Sequence, residues 1–263
     1  MQKRQNMYGI ILLPLVPMRF TAAENSEMVS QLLYGETIEV LEQQNNWLHI
    51  CNLADNYTGW VDKKTIKIIT QDQFDIICNT ESYPISTPTL SCFIENNKQK
   101  ILLPGGGIIR KKLYLDGVDE LNLIQNDGKN ETINSKSIVE IAKQYLNAPY
   151  LWGGKSIFGI DCSGLVQLVH SIAGISLPRD ASQQVELGQT IDFLDEALEG
   201  DLAFFENKEG KITHVGILIN KTQIIHASGW VKVERIDIHG IISNTTNEYS
   251  HKLRVIKRLN INI

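Results

Sequence analysis

Residues 160–167 of the chain read IDCSGLVQ, and they place a cysteine at the start of a helical apolar repeat. Leu165, Val169 and Ile172 share one face at this spacing, which predicts a helix from about Cys162 to Gly174. The first turn of a helix has unpaired backbone N–H groups and the positive end of the helix dipole. We therefore expect Cys162 to be a reactive nucleophile whose thiolate is favoured over its thiol.

Strand-like runs follow this helix, whereas another helical pattern precedes it. The apolar spacing from Ile138 to Leu146 predicts a helix opened by Ser135 or Ser137. The later runs predict strands at residues 201–205, 214–219, 223–226, 233–236 and 253–258. Helices first and a sheet second indicate an α+β domain.

Two histidines on the predicted strands are suited to completing a catalytic group with Cys162. A nucleophilic cysteine needs a base within hydrogen-bond reach and a third group that orients the base. His214 and His226 lie on neighbouring predicted strands, and a short connection near Asn220 would bring them together, facing the helix. This spacing predicts a Cys-His-His triad.

Sequence blocks around these residues add specificity to the prediction. They read APYLWGG (148–154), IDCSGLVQ (160–167), GDLAFF (200–205), HVGI (214–217) and HAS (226–228). Together they closely resemble the NlpC/P60 family of cell-wall cysteine peptidases over roughly residues 135 to 260. The resemblance implies a papain-like fold, with helices packed on an antiparallel sheet, and thioester chemistry that needs no metal or other cofactor.

The resemblance also implies roles for the matching side chains. Cys162 would be the nucleophile, His214 the general base, and His226 the residue that orients His214. Tyr150 would stabilise the oxyanion together with the backbone N–H of Cys162.

Residues 1–70 show short strand-like runs separated by turns, which is typical of a small barrel. Strands are predicted at residues 10–18, 37–42, 47–51 and 59–62, with Gly35 as a turn residue. The pattern resembles a bacterial SH3-like (SH3b) domain. Strand-like runs at 74–78, 91–95, 100–103 and 120–125 predict a second, degenerate SH3-like barrel over residues 71–128. A polar stretch at 126–131 marks the boundary to the peptidase-like domain at 129–263.

An SH3-like region before an NlpC/P60 domain resembles the γ-D-glutamyl-L-diamino acid endopeptidases. The resemblance implies hydrolysis of murein peptides, L-Ala-γ-D-Glu-diamino acid, that have a free N-terminal L-Ala. It assigns the peptide amine to Asp180, beside an Ala181 that replaces a frequent serine, and to Tyr57 of the first barrel. A carboxylate of that barrel is also expected, but Thr21 stands where a glutamate would be, and Glu24 is only nearby.

Further expected substrate contacts are Asp161, Ser163 and Ser228, although Asp161 is equally suited to capping the helix. Other functions also fit parts of the pattern. Cys162 and the two histidines could ligate the zinc of an amidase, although no separate general-base motif accompanies them. The barrels could instead be peptidoglycan-binding modules beside a relic domain, or the enzyme could be a cell-wall amidase with a different bond specificity.

Composition narrows the class of protein further. The 263 residues carry a net charge of −5 and no basic run, so neither nucleic acid nor a membrane is an expected partner. Residues 8–16 superficially resemble a signal peptide, but the first barrel strand explains them, so we expect a cytoplasmic protein, with export to the periplasm as the alternative. We expect a monomer whose partner is the murein peptide. No role is predicted for His49, His170, His239 or His251.

Overall fold

The computed structural model describes residues 6–94, 99–110, 121–123 and 137–259. The chain forms two compact units, residues 1–132 and 133–263. The domain boundary predicted at residues 126–131 lies outside the described residues. Within the described ranges, no helix is both long and apolar enough to cross a membrane.

The first unit is built on an antiparallel sheet. Its strands are β1 (Met7–Ile10), β2 (Leu15–Arg19), β3 (Met28–Leu33), β4 (Thr37–Gln44), β5 (Trp47–Asn52), β6 (Thr58–Asp62) and β7 (Lys67–Ile69). They follow the order β3-β2-β6-β5-β4-β1-β7. Successive side chains of a strand point to opposite faces, and in β5 the buried Leu48 and Ile50 alternate with the half-exposed Trp47 and His49. One face of this sheet therefore forms the core of the unit.

The single strand predicted at residues 10–18 is two strands in the structure. β1 pairs with β4 and β7, whereas β2 pairs with β3 and β6. The chain bends between them at Pro14, which has no N–H to donate to a strand ladder. Gly35 is a turn residue as predicted, since its φ is 81° and a Cβ there would clash with the carbonyl oxygen of Ile108.

The strand predicted at residues 74–78 is wrong, because this segment lies in helix α1 (Gln71–Asn79). A capping box starts the helix: Thr70 Oγ1 accepts from the Gln73 N–H at 3.2 Å, and Gln73 Oε1 accepts from the Thr70 N–H at 2.9 Å. Periodicity within five residues, four of them apolar, does not separate a helix from a strand. Phe74 of α1 stacks on Tyr8 of β1, with ring centroids 3.9 Å apart.

The rest of the described first unit consists of short strands. These are β8 (Ser82–Pro84), β9 (Thr89–Ile94), β10 (Gln99–Pro104), β11 (Ile108–Arg110) and β12 (Leu121–Leu123). β9 pairs with β10 and β12, and β8 pairs with β11. β9, β10 and β12 overlap the strands predicted at 91–95, 100–103 and 120–125. The second SH3-like barrel stays a prediction.

The second unit packs helices on an antiparallel sheet. The helices are α2 (Ile138–Lys143), α3 (Cys162–Ile172) and α4 (Ala181–Gln184). The strands are β13 (Lys155–Ser156), β14 (Gly159–Ile160), β15 (Gln189–Ile191), β16 (Leu202–Glu206), β17 (Ile212–Asn220), β18 (Gln223–Ser228), β19 (Trp230–Ile236), β20 (Gly240–Ile242) and β21 (Tyr249–Arg258). The main sheet has the order β15-β21-β16-β17-β18-β19-β20, and β20 also pairs with β21, which closes the sheet on itself.

Capping and burial set where the helices begin and what they pack against. Ser137, one of the two predicted start residues, caps α2 by accepting from the Glu140 N–H at 3.2 Å. α3 is buried along nearly its whole length and packs against α2, β17 and β18. Because this helix is buried on all sides, it is held within the unit, and its first residue is fixed against the sheet.

Candidate active site

Cys162 is the first residue of α3, as the sequence predicts, and its side chain is buried. Asp161 caps the helix by accepting from the Gly164 N–H at 2.7 Å. Burial raises the pKa of Cys162 to about 11, and the Asp161 charge adds to this. Backbone hydrogen bonds from Val215 and Ser163 act in the opposite direction without outweighing burial. Burial thus opposes the thiolate that the sequence leads us to expect, and the thiol needs a base to lose its proton.

The two predicted histidines are hydrogen-bonded to each other. His214 lies on β17 and His226 on β18, and these strands form an antiparallel pair with a short turn after Asn220. His214 Nε2 and His226 Nδ1 are 2.8 Å apart, and the two rings are nearly perpendicular. Both side chains are buried, and burial is the main cause that lowers the pKa of each imidazole below its usual range. Both rings are therefore neutral at pH 7.

Glu234 extends this pair, although its role was not predicted from the sequence. It lies on β19 and is buried, with Oε2 at 2.9 Å from His226 Nε2. Its Oε1 accepts from the Asn244 N–H at 2.9 Å and lies 3.4 Å from Lys232 Nζ. The signal available in the sequence was a carboxylate within the strand predicted at 233–236, the next predicted strand after that of His226.

His251 is a second residue that the sequence analysis left without a role. Its ring stacks on that of His214, with centroids 4.0 Å apart and planes inclined by 25°. It lies on β21, and its Nδ1 is 2.9 Å from Ser250 Oγ. Burial lowers the pKa of His251 to about 4, and the nearby His226 adds to this.

The three imidazoles of His214, His226 and His251 are close enough to be considered as metal ligands. Each offers one nitrogen within 4.8 Å of the others, whereas Cys162 is not in such a group among the described residues. Zinc binds imidazole through in-plane lone pairs that converge on one point. Here the facing nitrogens of His214 and His226 are hydrogen-bonded to each other, and the stacked planes of His214 and His251 do not converge. The residues present therefore fit a hydrogen-bonded chain better than a metal centre.

A buried ion pair fixes the segment that carries the cysteine. Arg179, which is 1% exposed, contacts both carboxylate oxygens of Asp161, at 3.0 and 2.6 Å. The same guanidinium donates to Ser163 Oγ at 2.9 Å, and Asp161 Oδ2 also accepts from the Gly153 N–H at 2.9 Å. Asp161 and Ser163 were predicted to contact substrate. In the structure their side chains are engaged with this guanidinium, which indicates a positioning role.

The other predicted site residues lie on different elements. Tyr150 forms a bridge with Ile160, and its pKa is raised to about 12, mainly by burial and then by the charge of Cys162. Ser228 is the half-buried last residue of β18, two residues after His226. Asp180 directly precedes α4, and its backbone N–H donates to Gln183 Oε1 at 3.4 Å.

The predicted amine-pocket residues of the first barrel belong to the other unit. Tyr57 packs against the core of its sheet. Thr21 donates to Ser26 Oγ at 2.8 Å, and Glu24 is exposed. The second unit thus brings together Cys162, Val215 and the two histidines, whereas Tyr57 lies in residues 1–132.

Comparisons with known proteins agree with this architecture. Residues 147–257 match the model of the NlpC/P60 family, and residues 19–66 match that of the bacterial dipeptidyl-peptidase Sh3 domain. The γ-D-glutamyl-L-lysine dipeptidyl-peptidase of Bacillus subtilis (strain 168) is 29% identical over 221 residues, which are 75% of this chain and 71% of that protein. The protein of the same name from Bacillus cereus (strain ATCC 10987) is 26% identical over 228 residues, 77% of this chain and 68% of its own.

A solved structure gives the same result for the fold. The crystal structure of an NlpC/P60 family protein from Bacillus cereus ATCC 10987 has a TM-score of 0.77 and 19% identity to this chain. The match covers 95% of this chain and 99% of that one. The similarity shows that the fold is shared.

Proposed function

Since residues 147–257 belong to the NlpC/P60 family of peptidases and residues 19–66 form a bacterial SH3 domain, we propose that the protein is a cysteine peptidase acting on murein peptides. The bond hydrolysed is the γ-D-glutamyl-L-diamino acid bond of a peptide with a free N-terminal L-Ala. The relatives at 26–29% identity are named γ-D-glutamyl-L-lysine dipeptidyl-peptidases, which supports this substrate class.

The observation that carries the proposal is the hydrogen-bonded histidine pair beside a cysteine at the first position of a helix. Cys162 has a raised pKa, so its thiol must lose a proton to a base before it can attack. His214 is the neighbour of Val215, whose backbone hydrogen-bonds to the thiol, and His214 is neutral because burial keeps its pKa well below the usual range. A neutral imidazole next to a protonated thiol is a competent acid–base pair.

The reaction follows from these groups in two halves. His214 takes the proton from the Cys162 thiol while sulfur attacks the γ-carbonyl carbon of D-Glu, and the resulting oxyanion accepts hydrogen bonds from Tyr150 and the backbone N–H of Cys162. His214 then returns the proton to the departing amine of the diamino acid, which leaves a thioester. Water, deprotonated by His214, attacks the thioester and releases L-Ala-D-Glu and the free thiol.

We also propose that the protein recognises the free N-terminal amine of the peptide. Asp180 supplies a negative charge for an ammonium group. Ala181 offers no side-chain hydrogen bond at the position where the family often has a serine. A free amine would then contribute to substrate binding mainly through its charge and less through hydrogen bonds.

The test compares four peptides: L-Ala-γ-D-Glu with meso-diaminopimelate or with L-Lys, each with a free and with an N-acetylated terminus. Mass spectrometry should detect L-Ala-D-Glu from the free peptides with wild type and not with Cys162→Ala. The matched control is Cys78→Ala, an exposed cysteine of α1, which should cleave like wild type. Equal cleavage of free and acetylated peptides would remove the amine pocket from the proposal, and cleavage of none of them would overturn the peptide substrate.

The zinc-amidase alternative is tested in the same assay. The histidine cluster motivates the test, because each of its members offers a nitrogen within 4.8 Å of the others. A chelator should leave peptide cleavage unchanged, while alkylation of Cys162 should abolish it. Loss of activity on chelation that zinc restores would instead support the amidase.

A further inference from the structure

Glu234 ends a buried chain of hydrogen bonds that begins at the proposed base. His214 Nε2 lies 2.8 Å from His226 Nδ1, and His226 Nε2 lies 2.9 Å from Glu234 Oε2. The side chains of His226 and Glu234 are 0% and 1% exposed. Water therefore does not exchange easily into this chain, so the protons on its nitrogens are set by the partners in it.

The position of each proton follows from the chemistry of the carboxylate. An ionised carboxylate only accepts hydrogen bonds, so His226 Nε2 must carry the proton that it shares with Glu234. A neutral imidazole has one N–H, and the Nδ1 of His226 is then an acceptor. His214 Nε2 must accordingly donate to it. The remaining nitrogen of His214, Nδ1, is left without a proton.

The pKa values of Glu234 and His226 agree with these proton positions. Burial acts to raise the pKa of Glu234, but the hydrogen bonds from His226 and the Asn244 backbone outweigh it, and the pKa falls to about 2. Burial lowers the pKa of His226 although Glu234 opposes it. At pH 7 the pair is thus a carboxylate beside a neutral imidazole.

We propose that Glu234 is a positioning residue, which fixes the tautomers of His226 and His214 so that His214 Nδ1 is free to take the proton of the Cys162 thiol. The proposal deepens, and for catalysis rests on, the proposed peptidase function. With Glu234, the proposed Cys-His-His triad becomes a chain of four residues. Glu234 acts through the two rings and does not touch the reacting atoms.

The surroundings of Glu234 hold it in one orientation. The Asn244 N–H donates to Oε1 at 2.9 Å, and Asn244 Nδ2 is itself bonded to the Val233 carbonyl at 2.9 Å. Lys232 Nζ lies 3.4 Å from the same oxygen and 4.5 Å from the centroid of the Trp230 ring. A backbone donor and a cation on one side direct the second oxygen to His226.

Glutamine at this position reverses the expected proton pattern. Its amide has one acceptor oxygen, and the fixed backbone N–H of Asn244 requires an acceptor. The amide NH2 group then faces His226 Nε2, which has to accept. His226 consequently carries its proton on Nδ1 and donates to His214 Nε2, so His214 Nδ1 becomes protonated and cannot act as a base. Loss of the correct tautomer is the known effect of replacing the carboxylate of a catalytic triad by its amide.

The experiment compares Glu234→Gln with Glu234→Asp, which keeps the charge, and with Glu206→Gln as a matched control. Glu206 is a carboxylate on β16 of the same sheet, ion-paired with Lys252 and Arg254. Nitrogen-15 NMR of histidine-labelled protein at pH 7 reports the tautomers. Cleavage of L-Ala-γ-D-Glu-L-Lys and alkylation of Cys162 by iodoacetamide report whether His214 can act as the base.

In wild type and Glu206→Gln, we expect both His214 and His226 to carry their proton on Nε2. In Glu234→Gln, both should carry it on Nδ1, with kcat lowered about 100- to 10,000-fold, KM within about threefold of wild type, and slower alkylation of Cys162. Glu234→Asp should restore the wild-type tautomers and part of kcat. These shifts in protonation are not expected from a residue that only stabilises the fold.

The outcomes that overturn the proposal are a wild-type spectrum with His214 protonated on Nδ1, or a folded Glu234→Gln variant with wild-type tautomers and kcat within threefold. The wild-type spectrum decides the question even where the glutamine variant does not fold. If wild type cleaves no murein peptide, the proposed function fails, while the tautomers and the alkylation rate still test the role of Glu234.

Discussion

His251 lies face to face with His214, with the two ring centroids 4.0 Å apart. Phe205 of β16 is close to both rings, at 5.6 Å from His214 and 6.0 Å from His251. His251 covers one face of the proposed base, and its ring also lies 5.7 Å from that of His226. Burial is the largest cause of the lowered pKa of His214, so the cover determines at which pH this base is neutral.

The pH dependence of activity should reflect this cover. Protonation of His214 removes the base, and its pKa lies well below 6.5, so kcat/KM of wild type should decline only at pH values well below 6.5. His251→Ala admits water, which should raise the pKa of His214 and move the acid limb of the profile towards 6.5. His251→Phe keeps an apolar ring and should resemble wild type more closely. An identical acid limb in wild type and His251→Ala would contradict this explanation.

The thiol of Cys162 should ionise only at high pH. Its pKa is raised to about 11 by burial and by Asp161. In His214→Ala, which lacks the base, the rate of Cys162 alkylation by iodoacetamide should therefore keep rising with pH up to about 11. A free thiol of ordinary pKa would be half ionised near pH 8.5 and would reach its plateau at about pH 10. Cys51, Cys78 and Cys92 are also free thiols, so the rate must be read from the Cys162 peptide by mass spectrometry. A rate that is half-maximal below about pH 9 would show that the thiol is not buried as described.

Arg179 should be important for stability as well as for the placement of Cys162. Removing one partner of a buried ion pair leaves an uncompensated charge and typically costs about 3 to 5 kcal/mol. Arg179→Met should lower the free energy of unfolding by about this amount, as measured in guanidinium chloride. The double variant with Asp161→Asn should lose less than the sum of the single variants, since no charge is then left unpaired. Additive losses would argue against a direct pairing.

His170 should make the protein less stable in mild acid. It lies in α3, donates from Nδ1 to the Val166 carbonyl at 2.7 Å, and has a pKa lowered to about 4 by burial. The unfolded chain takes up this proton near pH 6.5 and the folded one only near pH 4, so stability is complete above pH 6.5 and is lost as the pH falls towards 4. The difference amounts to roughly 3 kcal/mol for this one residue.

The measurement is the free energy of unfolding between pH 7 and pH 5. His170→Asn retains a donor for the Val166 carbonyl and should show a shallower dependence on pH than wild type. The dependence should not vanish, because the pKa values of the other buried histidines are lowered as well. His239→Asn, at an exposed position, is the control and should keep the wild-type slope. Equal slopes in all three proteins would contradict the assignment to His170.

Local signals allowed much of the fold to be predicted from the sequence. The start of α3 was predicted because the capping aspartate, the cysteine and the apolar repeat are adjacent in the chain. The pairing of β17 and β18 was predicted because a short turn joins them. The family resemblance was confirmed by the match of residues 147–257. The strand predicted at 74–78 is wrong because a segment of five residues carries no decisive period, and the capping box lies before it.

The sequence by itself determined that Cys162 begins a helix, that His214 and His226 lie on neighbouring strands, and that helices precede the sheet in the second unit, since each depends on residues a few positions apart. Only the tertiary structure decided that Glu234 reaches His226 and that His251 stacks on His214. These contacts depend on the register of β18 with β19 and on the closure of β20 onto β21, where Ile241 pairs with His251. The burial of Cys162, which raises the pKa of its thiol, also depends on the tertiary structure. A carboxylate or an imidazole in a strand has no visible partner until the sheet brings the strands together, because pairing and desolvation arise from contacts between distant parts of the chain.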